Sequence, residues 1–424
     1  MEAIFLLSFV VLVALGVPVA FALCLSVSVI LYFFLDMSQI LLPQVMYSGI
    51  DSFSFMAVPF FMLAGAFMSS GGVAKRLVNF ASAIVGSFTG GLAQVVAVSG
   101  MFFAAISGSS AATTAAIGVI MIDEMEKKGY DREFSTGVVA AGGTVGIVIP
   151  PSITLVVYGV TAGVSIGDLF MGGFAPGLLM GISMCVLSYI LCSRQGWKGI
   201  GSFSAKKLII GFKDSFFALL TPAIILGGIY GGIFTPTEAA AVAVVYAILV
   251  GLFVYKELKV KDFPGIIFKA VISTTLIMFI VGGAKVFGWL LTNLEIPHRI
   301  GMVFVNLTAS PIVFLLMMNV LLLVIGTLIN ASAAVIILTP IFLPVAMQLG
   351  IDPLFFGVLM VVNLAIGCIT PPVGLDLFVA SAITEIPVER VMKAVFPYLM
   401  VLLIDLLILT LCPNIITFLP ELLR

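Results

Sequence analysis

Two proline pairs, Pro150-Pro151 and Pro371-Pro372, interrupt apolar sequence, and each follows a glycine (Gly146, Gly367) by four residues. Proline removes a backbone donor and its ring clashes with the preceding turn, so a helix that reaches either pair must break there. The breaks are matched. Sliding the chain against itself by 221 residues aligns 107–153 with 328–374 without a gap. The identities are Ala112/Ala333, Ile120/Ile341, Gly129/Gly350, Asp131/Asp352, Phe134/Phe355, Gly146/Gly367, Pro150/Pro371 and Pro151/Pro372. The chain is therefore expected to hold two copies of one unit, each with a Gly-x-Asp turn leading into a broken helix.

What surrounds the breaks decides the solvent. Hydrophobic residues make up 62% of the 424 and charged residues 9%, more apolar surface than a water-soluble core can hide. In lipid every backbone polar group must find a partner within the protein, which leaves helices. Apolar stretches run near 52–70, 90–106, 134–149, 152–170, 172–192, 215–234, 238–255, 264–291, 302–328, 355–369 and 394–417. Several are shorter than the ~20 residues of a full span, and those flank Gly, Pro, Ser and Asn clusters. The run Ala3–Leu35 has no basic lead and reads as retained membrane segment, one kinked helix or two short ones around Gly16-Val17-Pro18. A mixed piece at 39–50 could lie at the interface.

Charge placement orients the chain, since cytoplasmic loops are rich in Lys and Arg. With 134–170 counted as one crossing, four basic groups share a side: Lys75/Arg76, Lys127/Lys128/Arg132, Arg194 to Lys213, and Lys256/Lys259/Lys261. Five crossings then separate Gly129-Tyr130-Asp131 from Gly350-Ile351-Asp352, which places the second turn outside. No Lys or Arg lies between Arg299 and Arg390, as an external position requires. The fold class expected is an all-α polytopic membrane protein with inverted-topology repeats, two re-entrant helical hairpins and two broken helices.

Each repeat carries a small polar tip, Ser107-Gly108-Ser109-Ser110-Ala111-Ala112-Thr113-Thr114 in the first and Gly326-Thr327-Leu328-Ile329-Asn330-Ala331-Ser332 in the second. Backbone unwound at membrane depth exposes carbonyls suited to a dehydrated alkali cation, and half-helix N-termini offer amides to a carboxylate. The competing reading takes Gly, Ser and Ala as close-packing residues and Pro as a simple kink. Recurrence at matched positions in opposite orientation favours the ion and substrate reading. Nothing points to an enzyme: His298 is the only histidine, and no paired-acid or nucleophile motif stands out. Cys24, Cys185, Cys192, Cys368 and Cys412 lack metal spacing and read as small buried hydrophobes.

At these residues the chain resembles the large M subunit of tripartite ATP-independent periplasmic (TRAP) transporters, the DctM-like family. The clearest stretches are Gly227-Gly228-Ile229-Tyr230-Gly231-Gly232-Ile233-Phe234-Thr235-Pro236-Thr237-Glu238-Ala239-Ala240-Ala241, Ile149-Pro150-Pro151-Ser152-Ile153 and Thr370-Pro371-Pro372-Val373-Gly374-Leu375. The resemblance covers nearly the whole chain. It implies an elevator-type mechanism in the bacterial inner membrane, driven by Na+, for a small organic anion such as a dicarboxylate or a sugar acid like sialic acid. It also implies a small four-helix (Q-type) membrane subunit and a periplasmic substrate-binding (P-type) protein. Carried over by motif, one sodium site would involve Ala104, Ser107, Gly146, Ile149 and Pro151, and the other Gly326, Gly367, Thr370 and Val373. Substrate would lie near Ser109, Ser110, Asn330, Ser332 and Asp376. Many relatives carry an acidic residue where Asn330 stands and Asn where Asp376 stands.

The division expected is 1–89 as N-terminal scaffold, 90–192 as the first repeat with its following span, 193–262 as a central scaffold hairpin, and 263–424 as the second repeat with the C-terminal span. A stand-alone sodium/divalent-anion symporter or proton-driven exchanger is the alternative function, and an intramembrane enzyme or a channel is a more distant one. Four ionisable residues in apolar surroundings need a reason to be there. Asp376 is read as a site residue or a helix cap, and Glu238 as an acid at a helix start. Lys285 is read as anion-facing, snorkelling or pairing with a partner, and Asp405 as facing another helix or a partner subunit.

Overall fold

The computed structural model describes residues 2–199, 201, 203–296, 299 and 310–423, and every regular element among them is helical. Five helices precede the first repeat: α1 (Glu2–Ala14), α2 (Val19–Phe33), α3 (Leu41–Ile50), α4 (Ala57–Ser70) and α5 (Val73–Val85). The first repeat follows as α6 (Gly91–Ser107), α7 (Ser110–Lys127), α8 (Arg132–Gly143) and α9 (Ile153–Ala162). Four long helices link the repeats: α10 (Ile166–Gln195), α11 (Ala205–Tyr230), α12 (Pro236–Leu249) and α13 (Phe263–Asn293). The second repeat is α14 (Pro311–Leu328), α15 (Ala331–Gln348), α16 (Pro353–Gly367) and α17 (Leu375–Thr384), followed by α18 (Val388–Leu411) and α19 (Asn414–Leu423). Among the described residues, 8 helical segments are long and apolar enough to cross a bilayer.

The Gly-x-Asp signature has a local cause. Gly129 and Gly350 take left-handed φ values of 84° and 75°, which a side chain would strain. Each ends its helix with the same wrap: Tyr130 N–H donates to the Met125 carbonyl at 3.1 Å and Ile351 N–H to the Ala346 carbonyl at 2.9 Å. The aspartates then cap the next helix. Asp131 accepts from the Phe134 amide at 2.9 Å, and Asp352 from the Leu354 amide at 2.8 Å.

Two bodies of packing stand out. In one, α4 lies along α12, α11 along α5 and α12, and α13 along α2, α3 and α4. In the other, each hairpin folds onto its own broken helix (α6–α7 on α8, α14–α15 on α16), and α18 packs on α8. The repeats interlock reciprocally: α7 packs on α17, and α15 on α9.

The sequence-based boundaries shift in several places. The apolar stretches expected at 152–170 and 172–192 are instead cut at Gly163–Ser165, where Gly163 is left-handed and the Ser165 hydroxyl caps α10. Gly172 and Gly173 remain helical, because their missing side chains admit neighbours: a Cβ on Gly173 would sit 2.6 Å from the Val148 carbonyl. The N-terminal run forms the two short helices that were one of its two expected forms, 39–50 forms α3 against α13, and the C-terminal stretch divides at Cys412-Pro413. Only the part of 302–328 from Ser310 onward is described, and His298 lies outside the described residues. Cys192 and Cys368 are buried, Cys24 and Cys185 half-buried, but Cys412 is exposed.

Candidate functional site

In the first repeat, Ser107 ends α6, Gly108 turns the chain at φ 59°, and the Ser109 side chain caps α7 by accepting from the Ala112 amide at 3.4 Å. The Ser107 hydroxyl meets the Thr113 hydroxyl at 2.9 Å, and Thr113 in turn donates to the Ser109 carbonyl at 2.8 Å. The tip rests on the break. Ile153 N–H donates to the Gly108 carbonyl at 3.4 Å, and a Cβ on Gly108 would come within 2.9 Å of the Pro151 carbonyl. A Cβ on Gly146 would lie 2.7 Å from the Ser109 carbonyl oxygen, so only glycine lets the broken helix approach. Ser107, Gly146, Ile149 and Pro151 thus belong to one buried locus, with Ala104 one turn back accepting from Gly108 N–H at 3.1 Å.

The second repeat builds the counterpart. Asn330 caps α15 by accepting from the Ser332 amide at 3.0 Å. Gly374 N–H donates to the Thr327 carbonyl at 3.0 Å; Gly374 stands 221 residues after Ile153, whose amide likewise bonds to its own hairpin tip, although the acceptors Gly108 and Thr327 are 219 residues apart. Gly326 and Gly367 touch backbone to backbone: a Cβ on Gly367 would lie 2.7 Å from the Gly326 Cα. Thr370 donates its hydroxyl back to the Ile366 carbonyl at 2.8 Å. Both Pro-Pro peptides are cis.

The two breaks share one electronic feature. The carbonyls of Ile149, Pro150 and Pro151, and those of Thr370, Pro371, Pro372 and Val373, accept no hydrogen bond among the described residues. Paired carbonyls are the rule for buried backbone, and a run of unpaired ones at depth is a ready cation-coordinating surface. The breaks differ in access. Residues 149–152 are all buried, whereas Pro371 and Pro372 are exposed and Thr370 and Val373 half-buried.

The hairpin tips do not bond to each other; each reaches the opposite repeat's second half-helix. The Ser332 hydroxyl meets the Thr154 hydroxyl of α9 at 3.2 Å. Ser110 of α7 faces Asp376 in the first turn of α17. Ser109, Ser110, Asn330 and Ser332 therefore stand at the starts of α7 and α15, and with α9 and α17 four helix N-termini are gathered there, each the positive end of a dipole. Asp376 is fully buried, and neither carboxylate oxygen has a hydrogen-bond partner, Ser110 standing beside it without closing the bond.

The remaining ionisable groups resolve individually. Glu238 completes a capping box: its carboxylate accepts from the Thr235 amide at 2.8 Å while the Thr235 hydroxyl accepts from the Glu238 amide at 3.3 Å. Asp405 faces another helix, accepting from the Ser183 hydroxyl of α10. Lys285 faces a cavity. Sequence reasoning missed Thr113 and Thr154 as site residues. Thr113 sits six residues after Ser107 within the polar tip, across the turn at Gly108, but Thr154 carried no signal, because the repeat maps it onto Leu375.

The sequence model for the "Tripartite ATP-independent periplasmic transporter, DctM component" matches residues 6–415. A C4-dicarboxylate TRAP transporter large permease protein of Pseudomonas aeruginosa is 45% identical, over 88% of this chain and 87% of its own length. The sialic acid TRAP transporter large permease protein of Vibrio cholerae is 39% identical, over 96% and 95%. An isethionate TRAP transporter permease protein of Oleidesulfovibrio alaskensis is 44% identical over 97% of this chain, which spans 65% of that relative's length. In fold, the chain is similar to the YdaH transporter of Alcanivorax borkumensis, with a TM-score of 0.66 at 16% identity over 87% of each chain. It is likewise similar to MtrF of Neisseria gonorrhoeae, with a TM-score of 0.62 at 13% identity over 89% of this chain and 85% of that one. These relatives are permeases rather than enzymes, and the chain is a multi-pass protein of the bacterial inner membrane. It belongs to the DctM component family of tripartite ATP-independent periplasmic transporters.

Proposed function

We propose that this chain is the large membrane subunit of a sodium-driven uptake system for a small organic anion. The observation that carries the reading is the pair of unpaired carbonyl runs at the two Pro-Pro breaks, each pressed against a hairpin tip. Sodium is bound best by several oxygens that replace its hydration shell, and a broken helix supplies them without a charged side chain. The first site would use Ser107, Gly146, Ile149 and Pro151 with the backbone near Ala104, and the second Gly326, Gly367, Thr370 and Val373. The anion would sit by the gathered helix N-termini near Ser109, Ser110, Asn330 and Ser332, where positive dipole ends offset its charge.

Relatives named for C4-dicarboxylates, sialic acid and isethionate support an organic acid as cargo. Uptake would use a small four-helix membrane subunit and a periplasmic binding protein, with the interlocked repeats moving as one body against α4 and α11–α13. The test is uptake into proteoliposomes holding the chain with its small subunit, supplied with loaded binding protein. Accumulation is expected only under an inward sodium gradient. Equal accumulation with choline in place of sodium refutes the coupling, and uptake by the large subunit alone refutes the dependence on partners.

A further inference from the structure

Between the two packing bodies lies a cavity of about 760 Å³, within the size range of small-molecule sites. One wall is Ser48 and Gly49 of α3 with Lys285 and Thr292 of α13; the other is Thr161 of α9 with Pro340 of α15. Helix α13 starts beside the basic Lys259–Lys261 loop and runs away from it, so Lys285, Thr292 and the cavity occupy the outward half of the protein. Thr154 and Ser332, where the second tip meets α9, stand seven residues before Thr161 and eight before Pro340, ~10–12 Å along each helix. The cavity thus opens toward the tips from outside.

Among the described residues Lys285 is the only charged one in its lining, which holds no Asp or Glu. Among the described residues it has no ion-pair partner. Its stem is laid over α3 at Gly49, where a Cβ would lie 2.7 Å from the Lys285 Cβ; glycine makes room for the lysine arm. Snorkelling does not account for it, because α13 continues eight residues past Lys285 to Asn293, ~12 Å. A lipid chain fits poorly against a lining that includes Ser48, Ser52, Thr161, Thr292 and Asn293.

We propose that this cavity is the outward antechamber for the transported anion and that the Lys285 ammonium captures its carboxylate or sulfonate. The inference rests on the organic-anion reading above and adds a residue that neither the carbonyl runs nor the hairpin tips supply. An ammonium without a counter-charge, set in a concave lining, focuses its field on an approaching oxyanion, and movement of α9 and α15 past α13 then releases the anion from it.

Two measurements test it. In the reconstituted system with succinate, isethionate and N-acetylneuraminate, Lys285→Gln should raise the half-saturating concentration of whichever anion is carried about tenfold or more, at normal protein level. Lys285→Arg should stay near wild type. Separately, Thr292→Cys on the cavity wall is labelled with an anionic (sulfonatoethyl) and a cationic (trimethylammonioethyl) methanethiosulfonate, against a background lacking that cysteine. The anion-to-cation rate ratio should fall about fivefold or more when Lys285→Gln is added, which loss of a merely structural lysine would not produce. If wild type carries none of the three anions, the functional reading fails, while the reagent ratio still reports on the cavity. If wild type transports and Lys285→Gln leaves half-saturation unchanged, the inference is overturned whatever the ratio; an unchanged ratio overturns it as well.

Discussion

Gly367 lies so close to Gly326 that a Cβ on it would be 2.8 Å from the Gly326 carbonyl carbon, backbone that no rotamer change can move aside. Gly367→Ala must push α14 off the second break. Overpacking of this kind costs about 1–3 kcal/mol, and the larger consequence is displacement of the carbonyls at 370–373. The expected outcome is a lowered Tm and a sodium half-saturation for uptake raised about tenfold or more, with anion half-saturation at saturating sodium changed less. Asp376 leads to the opposite prediction. A fully buried carboxylate with two unpartnered oxygens is a liability when ionised, and removing an unpaired buried charge relieves several kcal/mol at most. Asp376→Asn is expected to raise Tm in sodium-free detergent, and an equal or lower Tm would show that something compensates the charge.

At the level of elements, the hydroxyl pair Ser332–Thr154 ties the second hairpin to the first repeat. Ser332→Ala and Thr154→Val should each cost about 1 kcal/mol, and the double variant less than the sum, because both remove one bond. A double-mutant cycle on chemical denaturation measures this; strict additivity would mean the hydroxyls do not interact. This clasp was illegible in the sequence. The 221-residue offset sets Ser332 against Ala111 and Thr154 against Leu375, so the repeat hides the contact rather than revealing it. The breaks, tips and Gly-x-Asp turns were legible, since proline, positive-φ glycine and capping aspartate act through local backbone chemistry. Helix α5 escaped notice because Lys75 and Arg76 break its apolar run, and α10 read as two stretches because Gly172-Gly173 mark tight packing as well as breaks. The burial of Asp376 depends on α7 crossing over α17, which no local pattern encodes.

For the molecule as a whole, the cavity between α3/α13 and α9/α15 separates surfaces that must slide if the interlocked repeats travel as one body. Ser48→Cys and Thr161→Cys line opposite walls. Bridging them with a bifunctional thiosulfonate should arrest uptake, reduction should restore it, and neither single variant should respond. Continued uptake by the bridged protein would rule out relative motion at this seam. Coupling of this kind requires cations to be held by the freed carbonyls at both breaks, and direct sodium binding to the purified chain tests that most plainly. Wild type should bind radioactive sodium saturably, Gly146→Ala and Gly367→Ala should each lose part of that binding, and the double variant should lose it all while remaining folded. Sodium binding that is absent in wild type, or unchanged in the folded double variant, would contradict it.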